Sequence, residues 1–128
     1  FAMLAPAGAA ETSARGYCLL LEFSAALPDV AGTARRWADR VERELCLNYH
    51  YSHARRLGQL DAVRPVLLRG GLQAYRQARE SGGARSGTLK IPALDRDSAG
   101  EAAWWQPVCC GPCRQPAAGL AWGVSDGL

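Results

Sequence analysis

Three groups of side chains in this chain have types and spacings that could do chemistry. Lys90 is the only lysine; it follows a glycine-containing stretch, residues 82–87, and precedes Ile91-Pro92. A lysine on a mobile tether can swing into a site built elsewhere and neutralise a phosphate or a carboxylate. On spacing alone it reads as an exposed loop lysine. Cys46, His50 and His53 form an i, i+4, i+7 row on an unbroken helix, and thiolate and imidazole are ligands that zinc prefers. Asn48-Tyr49 interrupts that row, which favours two exposed or capping histidines beside a core cysteine. Cys110 and Cys113, next to Cys109, spell Cys-x-x-Cys. A structural zinc site needs four ligands, and a redox pair wants a strand before it and a helix after it. Pro107, Pro112 and Pro116 surround this cluster instead, so it reads as incidental and no metal is expected.

No other reaction set is spelled. The chain has no glycine-rich phosphate loop, no Gly-x-Ser-x-Gly elbow and no His-Glu-x-x-His, the short motifs that announce nucleotide, acyl-transfer and zinc hydrolase sites. Whatever Lys90 does, the residues around it do not form a complete active site.

The elements that must position these groups come from a chain of globular composition. Of its 128 residues, 48% are hydrophobic and 21% charged, which excludes a wholly disordered, collagen-like or coiled-coil chain. No stretch approaches the roughly 20 apolar residues that span a bilayer. Residues 1–97 hold 14 cationic and 10 anionic side chains, and residues 98–128 hold one and two. The arginines at 35, 36, 40 and 43 alternate with Asp39, Glu42 and Glu44, which reads as a solvated helix face rather than a basic stripe. Neither nucleic acid nor membrane is an expected partner. Cys18 and Cys46 lie in apolar segments as small core residues, and no disulfide framework is evident, so a reducing, cytoplasmic setting is expected. The start, Phe1-Ala2-Met3-Leu4-Ala5-Pro6, has neither an initiator methionine nor a basic leader, and reads as a cut within a longer chain.

Periodicity divides the chain. Residues 1–97 carry it and 98–128 do not, so the latter are expected as an irregular or disordered tail. Strands are expected at 1–5, at 17–23 (buried on both faces) and at 63–68, where Pro65 suggests an edge or a strand start. A helix opens at Pro28-Asp29, with Asp29 as its cap and Val30, Ala34, Trp37, Val41 and Leu45 as its apolar stripe. Asn48-Tyr49 ends it. A short helix over 51–57 stops at Gly58, a third helix runs over 72–79 after a Gly70-Gly71 turn, and residues 88–92 are extended. The first two strands should pair as a hairpin, and the helical crossover should return the third to the same sheet. The expected fold is α+β: a two-layer sandwich, with a small three-stranded mixed sheet and helices packed on one face.

The order of pieces resembles the C-terminal domain of the auxin-responsive (Gretchen Hagen) acyl-acid amido synthetases, of the adenylate-forming superfamily. Gly16-Tyr17 and the apolar strand ending at Glu22 look like the family's Gly-x-Tyr, apolar run and Glu. Leu47-Asn48-x-x-Tyr51-x-x-x-Arg55 and Gly58-Gln59-Leu60 follow in order, and Gly70-Gly71-Leu72 stands for a Gly-Thr-Phe turn. Thr88-Leu89-Lys90-Ile91-Pro92 looks like the family's Gln-x-Lys-x-Pro segment. The likeness covers residues 1–97. It departs at Thr88, where Gln is usual, and at Ala93, where plant members have Arg.

The resemblance implies an enzyme that activates a small carboxylic acid with ATP and magnesium, then transfers the acyl group to an amino acid. ATP and the metal would be held mainly by an N-terminal adenylation domain that lies outside this chain. Residues 1–97 would be its C-terminal lid, and Lys90 the catalytic lysine that approaches the adenylate. Gly82, Gly83 and Gly87 would let that segment move, and Tyr51 and Arg55 would hold the lid's second helix rather than touch substrate. Alone, this piece would be inactive. The rival expectation is a stand-alone ferredoxin-like module that binds a small ligand or a protein.

Overall fold

The computed structural model describes residues 1–7, 15–83, 87, 89–95 and 104–105. Its elements are β1 (Ala2–Pro6), β2 (Tyr17–Leu21), α1 (Val30–Cys46), α2 (Tyr49–Arg56), β3 (Arg64–Leu67) and α3 (Gly71–Ser81). The sheet order is β1-β2-β3. β1 and β2 are antiparallel, from Ala2 opposite Leu21 to Pro6 opposite Tyr17. β3 returns parallel to β2, from Cys18 opposite Arg64 to Leu21 opposite Leu67. The fold is the expected α+β arrangement on a three-stranded mixed sheet.

Central position explains why β2 reads as an unbroken apolar run. Successive side chains alternate between faces, and both faces are covered. Leu19 and Leu21 point to one, where they join Ala34 and Ala38 of α1 and Val63 in one cluster. Cys18 and Leu20 point to the other, with Ala5, Val66, Leu68 and Trp105. Burying each leucine stabilises the fold by roughly 1.5–3 kcal/mol.

α1 begins as expected: the Asp29 carboxylate accepts the Gly32 N–H at 2.9 Å. Its buried row is turned from the expected stripe. Ala34 and Ala38 are fully buried, and Val41 and Leu45 pack beside them. Trp37 is instead 49% exposed and meets the edge of Phe23 at 5.7 Å. The physical reason is distance: two alanines let the helix backbone lie close to the sheet, and an indole cannot fit into that layer.

Both sheet edges are managed. Leu4 donates its N–H to Ala93 and accepts from Asp95 N–H, each at 2.8 Å, so residues 93–95 run parallel along β1. On β3, Leu68 N–H bonds Leu21 at 2.8 Å. Backbone groups alternate in direction along a strand, so Pro65 directs its missing N–H away from β2. A proline in that place blocks addition of another strand, which agrees with the edge position read from the sequence.

The tail contributes to the core. Trp104 and Trp105 form a turn; Trp105 is 3% exposed in the second cluster, and Trp104 packs against it. Trp104 also meets Tyr75 of α3 at 5.3 Å and donates Nε1–H to Asp95 at 3.1 Å. The sheet face opposite α1 is thus closed partly by residues assigned above to the irregular segment 98–128. The remainder of that segment lies outside the described residues, as does the connection 8–14.

Candidate functional site

The resembling residues serve the fold first, and their contacts show how. Glu22 directly follows β2, and its carboxylate accepts the N–H groups of Gly70 and Leu72, each at 2.9 Å. It therefore caps α3, as a carboxylate favourably does at a helix N-terminus. Gly70 has φ +72°, the left-handed region that favours glycine. Gly16 has φ +141°, and a Cβ there would stand 3.0 Å from the Asp61 carbonyl oxygen. An open cleft of about 580 Å³ lies beside the Glu22 cap, lined by Phe1, Phe23, Leu72, Gln73 and Arg76 among others.

Asn48 caps α2, its Oδ1 accepting the N–H groups of His50 at 3.0 Å and Tyr51 at 3.2 Å. Tyr51 and Arg55 then meet Glu42 of α1: the phenol donates to Oε2 at 2.7 Å and the guanidinium to Oε1 at 2.7 Å. The Val63 N–H, just before β3, donates to Oε2 at 2.9 Å. One carboxylate thereby joins α1, α2 and β3. Burial pushes the Glu42 carboxyl up, but the hydrogen bonds from Tyr51, Arg55 and Val63, with the Arg55 charge, hold it below the usual carboxylate range. Burial, and then the bond to Glu42, push the Tyr51 phenol well up. Tyr51 and Arg55 thereby fasten α2 to α1.

Two expectations are corrected here. Glu42 is no member of a solvated face; its side chain is 17% exposed and fully engaged. Sequence reasoning missed it, although the row Ala34, Ala38, Glu42 has an i, i+4, i+8 spacing that puts all three on one helix face. Cys46 is half-buried and lies outside both apolar clusters. Its thiol donates to Glu42 at 3.6 Å. Desolvation and the neighbouring carboxylate raise its pKa, which keeps it a thiol and a poor nucleophile. Cys18 is buried, as expected.

His50 and His53 are both exposed and pack about Tyr49, with ring centroids 5.6 and 5.7 Å away. Among the described residues no three His, Cys, Asp or Glu side chains gather as metal ligands. The Cys-x-x-Cys at 110–113 lies outside the described residues.

Lys90 is exposed in a run without regular structure, residues 89–92, that leads directly into the pairing of 93–95 with β1. Upstream, α3 ends at Gly82 and Gly83, the latter with φ +94°. Thr88 lies outside the described residues. The structure therefore gives Lys90 a downstream anchor and an ammonium exposed to solvent, and among the described residues no reacting set is assembled around it. Asp95, at the end of the same run, is the buried charge that sequence reasoning missed: it is 2% exposed and pairs with Arg79 at 2.8 Å. No local pattern marks it, because its partners come from α3 and the Trp104–Trp105 turn.

Compared with known proteins, the chain matches no family model, no curated protein and no solved structure. Among the described residues, no helix is long and apolar enough to cross a membrane.

Proposed function

We propose that residues 1–97 form the C-terminal lid of an ATP-dependent acyl-acid amido synthetase, working in the cytoplasm. The observation that carries this reading is the ordered series of resembling motifs, ending in Lys90-Ile91-Pro92 with its lysine exposed. In the first half-reaction a carboxylate oxygen attacks the α-phosphorus of ATP. The bond to the β-phosphate oxygen breaks, giving an acyl adenylate and pyrophosphate. In the second, an amino acid's amine attacks the acyl carbon, loses a proton, and displaces AMP to form the amide. ATP and magnesium belong to the N-terminal adenylation domain. The Lys90 ammonium stabilises negative charge that develops on phosphate and carboxylate oxygens. Glu22, Asn48, Tyr51 and Arg55 keep the lid rigid, so that Lys90 is presented from a fixed frame.

The rival reading is a free-standing module that binds a small ligand or a protein, and the cleft beside Glu22 is the observation in its favour. Coding sequence decides between them. The lid reading expects the frame to continue upstream of Phe1 into a larger domain with adenylate-binding motifs. A start codon at or just before Phe1 would sink it.

A further inference from the structure

We propose that α2 is a latched segment: residues 48–57 are fastened to the domain through the single carboxylate of Glu42, and removing that carboxylate's charge releases α2 while α1 and the sheet stay folded. The inference does not depend on the ligase reading.

Four observations carry it. First, both apolar clusters are assembled without any residue from 46 to 62, so α2 can leave without opening either. Second, α2 has eight residues and buries only Tyr51, and a helix of that length does not hold itself together in water. The stretch 48–57 and the residue before it carry the three most exposed large apolar side chains among the described residues, Leu47 at 81%, Tyr49 at 67% and Leu57 at 57%. Third, the polar contacts from α2 to the layers beneath converge on Glu42. Arg55 makes a second bond, at 2.8 Å, to the Leu60 carbonyl, within the connection that follows α2. Beyond these, among the described residues, the Asn48 N–H donates to the Leu45 carbonyl at 3.0 Å at the junction with α1, and the ring of Tyr17 stacks on Tyr51 at 6.4 Å. Fourth, the ends can pivot. The Asn48 cap bonds lie within α2 and move with it, and Gly58, at φ +69°, has open space around it.

The titratable and charged groups that face Glu42 are Tyr51 and Arg55 from α2 and Cys46 from its own helix. The connection to β3 supplies only the Val63 N–H, since the Asp61 carboxylate is taken by the Arg15 N–H at 3.2 Å. From β2 the Tyr17 ring stacks on Tyr51. The Glu42 carboxyl is held low by these donors, so the latch is closed at neutral pH. A lowered folded-state value means that its contribution is fully present above the unfolded glutamate value of about 4.3. It is lost as pH falls through the folded value.

Hydrogen exchange by mass spectrometry on the full chain tests this. In Glu42→Gln, protection of the amides at 52–57 should fall by about 5- to 30-fold, the effect of losing one or two kcal/mol. Protection at 18–21 and 34–41 should change by less than about threefold, the signature of a sub-global opening. Tyr51→Phe keeps the ring and removes one bond, and should show the same pattern at smaller amplitude. Unchanged protection of α2 in Glu42→Gln overturns the proposal. So does a loss spread evenly over sheet and helices in either variant, or failure of Glu42→Gln to fold.

Discussion

Replacing Asp95 with alanine is expected to destabilise the domain by about 3–5 kcal/mol, the cost of breaking a buried ion pair from one side. The carboxylate is 2% exposed. It takes the Arg79 guanidinium at 2.8 Å and the Trp104 Nε1–H at 3.1 Å, while its own N–H holds β1 through Leu4. Alanine would keep the backbone bond and strand the other two donors. Arg79 is 28% exposed, so water relieves part of its loss and places the effect toward the lower end of that range. Asp95→Asn, which preserves the shape and one acceptor, should cost about 1–3 kcal/mol. Urea unfolding of the three chains measures the series. A loss below about 1 kcal/mol in Asp95→Ala would mean that α3, β1 and the Trp104–Trp105 turn are not joined through this residue.

The second large effect is expected at Trp105. Truncation to alanine should cost about 3–5 kcal/mol, as for other fully buried aromatic residues. Its ring sits among Ala5, Cys18, Leu20, Val66 and Leu68, on the sheet face that α1 does not cover. Its Nε1 finds no hydrogen-bond partner among the described residues, so the indole contributes through apolar contact. Trp37 is the internal control. It is half-exposed and rests against one ring, so the same truncation there should cost far less. Thermal unfolding of the two variants side by side decides the ordering. Equal shifts, or a larger one at Trp37, would mean that the second face is closed by something other than the Trp104–Trp105 turn.

These two effects mark where the fold was legible in the sequence and where it was not. Local signals carried well. Asp29 is the cap its side chain suggested, the break expected at Asn48-Tyr49 falls where Asn48 caps α2, the unbroken apolar run is the central strand, and Pro65 lies on an edge. Each is decided within a few residues by backbone geometry or by alternation. The misreadings concern side chains whose roles are set by distant parts of the chain. The helical period places Trp37 in the stripe, whereas the helix approaches the sheet on two alanines, Ala34 and Ala38. The charged neighbours of Glu42 in sequence predict a solvated face, but its partners lie 9, 13 and 21 residues away. The expected irregular tail holds for Trp104 and Trp105, which form a turn; periodicity reports helices and strands, so it gives no sign that this turn plugs a sheet face. In the candidate site the sequence singled out Lys90 through its uniqueness and its neighbours Ile91-Pro92. It could not show that the run is tied to β1 at 93–95.

The central claim is that Lys90 serves adenylate chemistry from a folded lid. ATP–pyrophosphate exchange, measured with a panel of small carboxylic acids on a chain that includes the proposed N-terminal adenylation domain, tests it most directly. Lys90→Ala should slow exchange by about 10²- to 10³-fold, the effect of removing one donor to developing oxyanion charge. Its unfolding transition should match that of the unmodified protein, because Lys90 is exposed. An exchange rate in Lys90→Ala equal to that of the unmodified protein would remove this lysine from the mechanism and contradict the account.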